Sequence, residues 1–167
     1  QVQAGGVYPC GVPAHQRDLE GAPGPGGGDQ QGAGRVGGDG VMARLGDIGK
    51  IITGNTPKTS ESDNYSSNDI AFIKPSDIPE NEIAILSDAE FYISESAREK
   101  ARILPSGSIL ITCIGIIGKV AITDIECAFN QQINAIIPYM DKCNPQYVAY
   151  SIQYLKPQLQ TIANAAV

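Results

Sequence analysis

The chain has 167 residues, a formal net charge of −6 and 42% apolar residues, with no Trp, and 13 of its 19 glycines fall within residues 1–41. It contains no run of 18 apolar residues and no basic stretch leading into an apolar one, which argues against a membrane-spanning helix and a secretory signal and makes a cytosolic, cytoplasmic protein the expectation. The acidic balance persists as a net −4 over residues 42–167, excluding a module that holds nucleic acid by bulk charge alone, because non-specific affinity comes mainly from neutralising phosphates with cations.

Residues 1–41 hold four prolines, no Ile and no Lys, and show no hydrophobic period. Such a segment buries too little apolar surface to offset its ordering entropy, so it reads as a disordered Gly/Pro-rich tail foreign to the domain, with Met42 as a natural first residue. The globular part is residues 42–167, enough for one domain. The cysteines Cys10, Cys113, Cys127 and Cys143 lie far apart without a C-x-x-C pair, which predicts reduced, partly buried thiols and no zinc site, and His15 reads as a solvated loop residue.

In chain order, residues 45–53 (LGDIGKIIT) and 69–78 (DIAFIKPSDI) read as Ile-rich strands around a polar loop, 54–68. Further apolar stretches run over 83–86 and 91–93. Ser96 followed by Glu99 has the form of a capping box and predicts a short helix over 96–102. Pro105 and Gly107 turn the chain into a strand over 108–114, and a tight connection at 115–118 leads into 119–123, a hairpin. One more strand covers 133–138. Asn144 is a good N-cap and Pro145 suits the first helical position, with Val148, Ile152, Leu155, Leu159 and Ile162 on one helical stripe. Pro157 should break that segment near Lys156. The end at Val167 without a closing cap reads as truncation. Together these elements give an α/β (α+β) domain with a strongly bent, mixed β-sheet, one short helix and a C-terminal helical segment.

No triad of nucleophile, base and orienter can be assembled, since the single histidine lies in the tail. The segment GIIGK (115–119) is too short for a phosphate loop and has Val120 where Ser or Thr is required, so a plain turn is the better reading. Two segments carry more chemistry than a scaffold needs. The loop TGNTPKTSESDNYSS (53–67) is crowded with hydroxyls and amides, and FNQQINAIIP (129–138) sets Asn130, Gln131 and Gln132 against an apolar strand. Amides in a row satisfy backbone groups at a strand entry, and they also read adenine.

The order LGDIGKIITGNTP (45–57), IAFIKPSDI (70–78), FYISESA (91–97), ILPSGSILITCIGIIGKVAI (103–122) and CAFNQQINAIIP (127–138) resembles one target-recognition domain of the specificity subunit of Type I restriction-modification enzymes, over nearly all of residues 44–164. The resemblance implies a non-catalytic domain that reads one half of a split site in double-stranded DNA, ahead of a spacer helix. Methyltransferase subunits and a restriction/translocase subunit would be its partners, and those partners, not this chain, would bind S-adenosylmethionine, ATP and Mg. It further implies DNA contacts at Lys58, Thr59, Ser60, Tyr65, Lys74, Ser76, Lys119, Asn130 and Gln131. Family members often carry Arg where this chain has Ile114, which leaves Lys119 as the nearest cation there. Two readings from other classes stand beside it: an interaction fragment docking through its C-terminal apolar helix, and a hydrolase or transferase whose site the sequence conceals.

Overall fold

A computed structural model describes residues 43–165. The tail expected over 1–41, with His15, Cys10 and the start at Met42, lies outside the described residues.

The chain opens with a single helical turn, α1 (Leu45–Ile48), and then β1 (Gly49–Thr53), where the pattern predicts one strand over 45–53. The difference is local: the Asp47 carboxylate accepts the Arg44 N–H at 3.0 Å while the Asp47 N–H bonds the Arg44 carbonyl at 2.9 Å, closing a turn. Next come β2 (Ile70–Ile73), β3 (Ala84–Leu86), β4 (Tyr92–Ile93), β5 (Ile103–Leu104), β6 (Ile109–Thr112), β7 (Val120–Thr123), β8 (Cys127–Phe129) and β9 (Ile133–Pro138). The strand expected over 69–78 stops at Ile73, because Pro75 lacks the N–H a ladder needs and the Lys74 N–H turns instead to the Asp77 carboxylate at 2.7 Å, starting a 3-10 turn. The helix expected over 96–102 is a 3-10 segment, Glu95–Lys100, with Ser94 at its cap. Ser96 does not form the expected box: its hydroxyl donates to the Asp63 carbonyl at 2.8 Å and ties this turn to the polar loop.

The expected bent, mixed sheet is divided in two. One sheet has the order β1-β9-β6-β7-β3 and the other β4-β2-β8-β5, and each contains one parallel pair, β3/β7 and β2/β8. The expected hairpin is present as antiparallel β6/β7. Between the sheets lies the main core, with Ala71, Ile73, Leu104, Leu110, Ala121, Phe129, Ile133 and Ala135. Alternate residues of the same strands face outward into two further clusters. On the five-stranded sheet, Ile109, Val120, Ile122 and Ile136 meet the C-terminal helix, while on the other sheet Ile70, Phe72 and Ala128 meet Ala97 of the 3-10 segment. Strands covered on both faces carry unbroken apolar runs, which is why IAFI, VAIT and CAF do not alternate.

Asn144 caps α2 (Pro145–Tyr154) by accepting the Gln146 and Tyr147 N–H groups at 2.8 and 3.2 Å. The expected break falls at Leu155, after which α3 (Lys156–Ala165) sets Pro157 in its first turn, where a missing N–H costs nothing. The apolar stripe is used mostly within the domain: Val148 and Ile152 are buried and Leu159 packs beside them, whereas Leu155 and Ile162 stay exposed.

Candidate nucleic-acid interface

Strand direction gathers the chemistry of this chain at one end. β2 and β8 run parallel with Ile73 beside Phe129, so Lys74 and Asn130 leave their strands side by side. In the other sheet, Thr53 of β1 pairs with Asn134, and Thr112 of β6 with Ile133, so the loops after β1 and β6 emerge where β9 begins. Backbone bonds join the two groups: the Gly54 N–H meets the Ile133 carbonyl and the Asn55 N–H the Phe129 carbonyl, both at 3.0 Å, while the Cys113 N–H meets the Gln132 carbonyl at 2.8 Å. Segments 54–60, 74–76, 113–119 and 130–132 therefore share one face. Glycine is required at 54, since a Cβ there would lie 2.1 Å from the Asn130 carbonyl oxygen.

The polar loop is built around side-chain amides. Asn55 bridges the backbone on both sides, donating to the Lys100 carbonyl at 2.7 Å and accepting the Arg102 N–H at 2.8 Å. Asn64 is fully buried, donating to the Lys58 carbonyl at 3.0 Å and accepting the Lys100 ammonium at 2.8 Å. That ammonium also bonds Glu61 at 2.9 Å, and this hydrogen bond, with the charge behind it, holds the Glu61 carboxyl below its ordinary value. The Tyr65 hydroxyl donates to the Pro57 carbonyl at 2.7 Å, and burial pushes its phenol above the usual range. The outer side of the loop thereby presents Lys58, Thr59 and Ser60 to solvent on a fixed backbone, the Lys58 side chain being 80% exposed beside Glu61 at 3.9 Å.

The other residues singled out by resemblance fall on the same face in two groups. Ser76 and Gln131 are exposed, Gln131 accepting the Thr56 hydroxyl at 2.6 Å. Lys74 is half-buried with its ammonium 3.0 Å from the centre of the Phe91 ring. Lys119 and Asn130 are buried and occupied by the protein itself. The Lys119 ammonium donates to the Pro75 carbonyl at 2.5 Å, and Asn130 exchanges hydrogen bonds with Gln132 at 3.0 and 3.1 Å. These two hold the loops, and Tyr65 does the same from below. Arg102, whose guanidinium bonds the Thr53 carbonyl, and Asn55 and Asn64 are contributors that the sequence reading passed over. Their signal was present only as residue types, and their partners Thr53, Lys100 and Lys100 are 49, 45 and 36 positions away.

Exposed hydroxyls, an amide and a solvent-exposed lysine suit hydrogen bonding to base edges and phosphates. Among the described residues no cluster of His, Cys, Asp or Glu is arranged to hold a metal ion, and no helix is long and apolar enough to cross a membrane. Cys127 is buried at the start of β8, which pushes its thiol up to about 12.

Residues 39–166 match the profile of the Type I restriction modification DNA specificity domain. The chain is 33% identical over 97 residues to the Type I restriction enzyme HindI specificity subunit of Haemophilus influenzae, covering 58% of this chain and 21% of that protein. It is 34% identical over 119 residues to the MjaIX specificity subunit of Methanocaldococcus jannaschii, covering 70% of this chain and 27% of that protein. The chain thus spans about a quarter of the length of the curated relatives it matches. Its fold is similar to that of the HsdS subunit from Thermoanaerobacter tengcongensis, with a TM-score of 0.56 at 23% identity over 70% of this chain and 28% of that one. The S subunit from M. genitalium gives a TM-score of 0.51 at 13% identity over 72% and 28%.

Proposed function

Because the chain belongs to the family of Type I restriction modification DNA specificity domains, we propose that it reads one half of a split site in double-stranded DNA as part of a specificity subunit. In this reading it directs partner methyltransferase and restriction subunits to that site and performs no reaction itself. S-adenosylmethionine, ATP and Mg belong to those partners, and the complex works in the cytoplasm, where the DNA is. The observation that carries the reading is the shared strand-end face, where two sheets hold Lys58, Thr59, Ser60, Ser76 and Gln131 on loops fixed by buried amides and by Lys119. Lys74 extends the same face toward phosphate, with Phe91 limiting its reach. A rigid scaffold with exposed polar tips is what direct readout needs, each good bidentate pair contributing about 1–3 kcal/mol of discrimination.

The net −6 assigns most of the phosphate clamp to the partner subunits. The chain alone should bind duplex DNA weakly at physiological salt and gain affinity and sequence discrimination in the assembled methyltransferase. Fluorescence anisotropy with labelled duplexes, with and without the methyltransferase subunits, tests this. Tight sequence-specific binding by the chain alone would refute the sharing, and absence of any DNA binding in the assembled complex would refute the reading itself. The rival reading as a docking fragment loses its main support, since Val148, Ile152 and Leu159 pack within the domain.

A further inference from the structure

The loop joining β6 to β7 exposes two isoleucines, Ile114 at 54% and Ile116 at 50%, where polar residues are the ordinary choice for a hairpin connection. The loop is not free to fold them away. The Thr112 hydroxyl donates to the Ile116 carbonyl at 2.5 Å and accepts the Lys119 N–H at 3.0 Å, and the Gly118 N–H meets the Thr112 carbonyl at 3.0 Å. Gly115 and Gly118 adopt φ of 78° and 82°, conformations that a side chain resists. From below, the Lys119 ammonium fixes the loop to the Pro75 carbonyl, and from α3 the Gln160 amide donates to the Ile117 carbonyl at 3.1 Å.

Two apolar side chains are thus held out in water on a braced backbone, on the face that also carries Ser76 and Gln131. The one charge on this loop, Lys119, is buried beneath it, so the loop offers phosphate no exposed cation. Base edges, by contrast, present one apolar group in the major groove, the 5-methyl of thymine, which aliphatic side chains read by contact. Resting on the DNA-reading assignment above, we propose that Ile114 and Ile116 form an apolar reading tip that recognises a thymine methyl, giving this domain a preference for at least one A·T pair of fixed orientation in its half-site.

The test is selection from a random duplex library by the full chain assembled with its methyltransferase subunits, the state in which sequence discrimination is expected. One library is made with thymidine and a second with deoxyuridine, which lacks only the methyl group. The wild-type chain should enrich thymine at one or more positions. That enrichment should fall about four-fold, the effect of withdrawing one methyl from an apolar contact, both in the deoxyuridine library and with Ile114→Ser or Ile116→Ser in the thymidine library. The rest of the selected sequence should be unchanged. Enrichment unaffected by deoxyuridine overturns the proposal, including the case in which the variants alone lose it. Failure of the assembled wild-type complex to enrich any sequence instead removes the DNA-reading assignment and the proposal with it. The deoxyuridine arm uses the wild-type protein, so a variant that fails to fold does not stop the test.

Discussion

Single residues on the strand-end face divide into those that hold it together and those that face outward. Asn64→Ala deletes a fully buried amide that serves the Lys58 carbonyl and shares the Lys100 ammonium with Glu61, and losing these bonds should cost about 1–3 kcal/mol in chemical denaturation. A loss under about 0.5 kcal/mol, the range of an ordinary surface change, would show that the loop is not braced there. Lys58 and Lys119 should behave oppositely, although both are lysines of the same face. Lys58→Ala should leave stability unchanged and lower the salt dependence of DNA binding by about 0.9 in log–log slope, one phosphate contact. Lys119→Ala should lower stability, since it unpins the loop over 113–119 from Pro75. Denaturation and binding titrations over a salt series separate the two. Protonation also has a direction at this scale. The Glu61 carboxyl is held below its ordinary 4.5 by its bond to Lys100, so its contribution is complete above that value and is lost as pH falls through the lower folded value. Burial pushes Cys127 up to about 12 from an ordinary 9.0, so its contribution is complete below pH 9.0 and is lost as pH rises toward 12. The denaturation midpoint should accordingly decline on both flanks, and Cys127 should resist thiol reagents until the chain unfolds.

Elements were legible in the sequence to the extent that their causes were local. The C-terminal helix could be placed by its Asn144 cap, its Pro145 start and the break before Pro157, because each acts within one turn. The β6/β7 hairpin followed from two apolar runs around a glycine-bounded connection. β5 and β8 were passed over: at two and three residues they are too short to show a period, and they are strands through pairing alone, β5 with β8 and β8 with both β5 and the distant β2. The misplaced cap at Ser96 has the same origin, since its hydroxyl goes to Asp63, 33 positions away, a partner no local pattern can show. The candidate face was legible as residue types and not as a division of labour. Nothing in the order of residues distinguished the exposed Lys58 from the buried Lys119, because burial there is decided by loops from both sheets. The junction of those sheets makes its own prediction. Gly54→Ala places a Cβ against the Asn130 carbonyl and should separate the end of β1 from the 130–132 turn, weakening DNA binding and protecting fewer amides in 54–60 from hydrogen exchange. Protection equal to wild type would contradict that account of the junction.

At the scale of the whole molecule, a chain of net −6 is assigned to DNA, and topology reconciles the two. Two sheets, each mostly antiparallel with one parallel pair, send the ends of β1, β2, β6 and β8 to one side, while β3 and β7 end at Leu86 and Thr123, away from it. Orientation is therefore the central claim: DNA meets the end carrying residues 54–60, 74–76, 113–119 and 130–132. Site-directed photo-crosslinking tests it most directly, with a benzoylphenylalanine placed singly at four exposed positions of the full chain and each variant irradiated with labelled duplex DNA in the assembled complex. Thr59 and Ser76 lie on the proposed face, Ser106 and Met140 at the opposite strand ends. Crosslinks from Thr59 and Ser76 with none from Ser106 or Met140 are the expected result, and crosslinks from Ser106 or Met140 at equal or greater yield would contradict it.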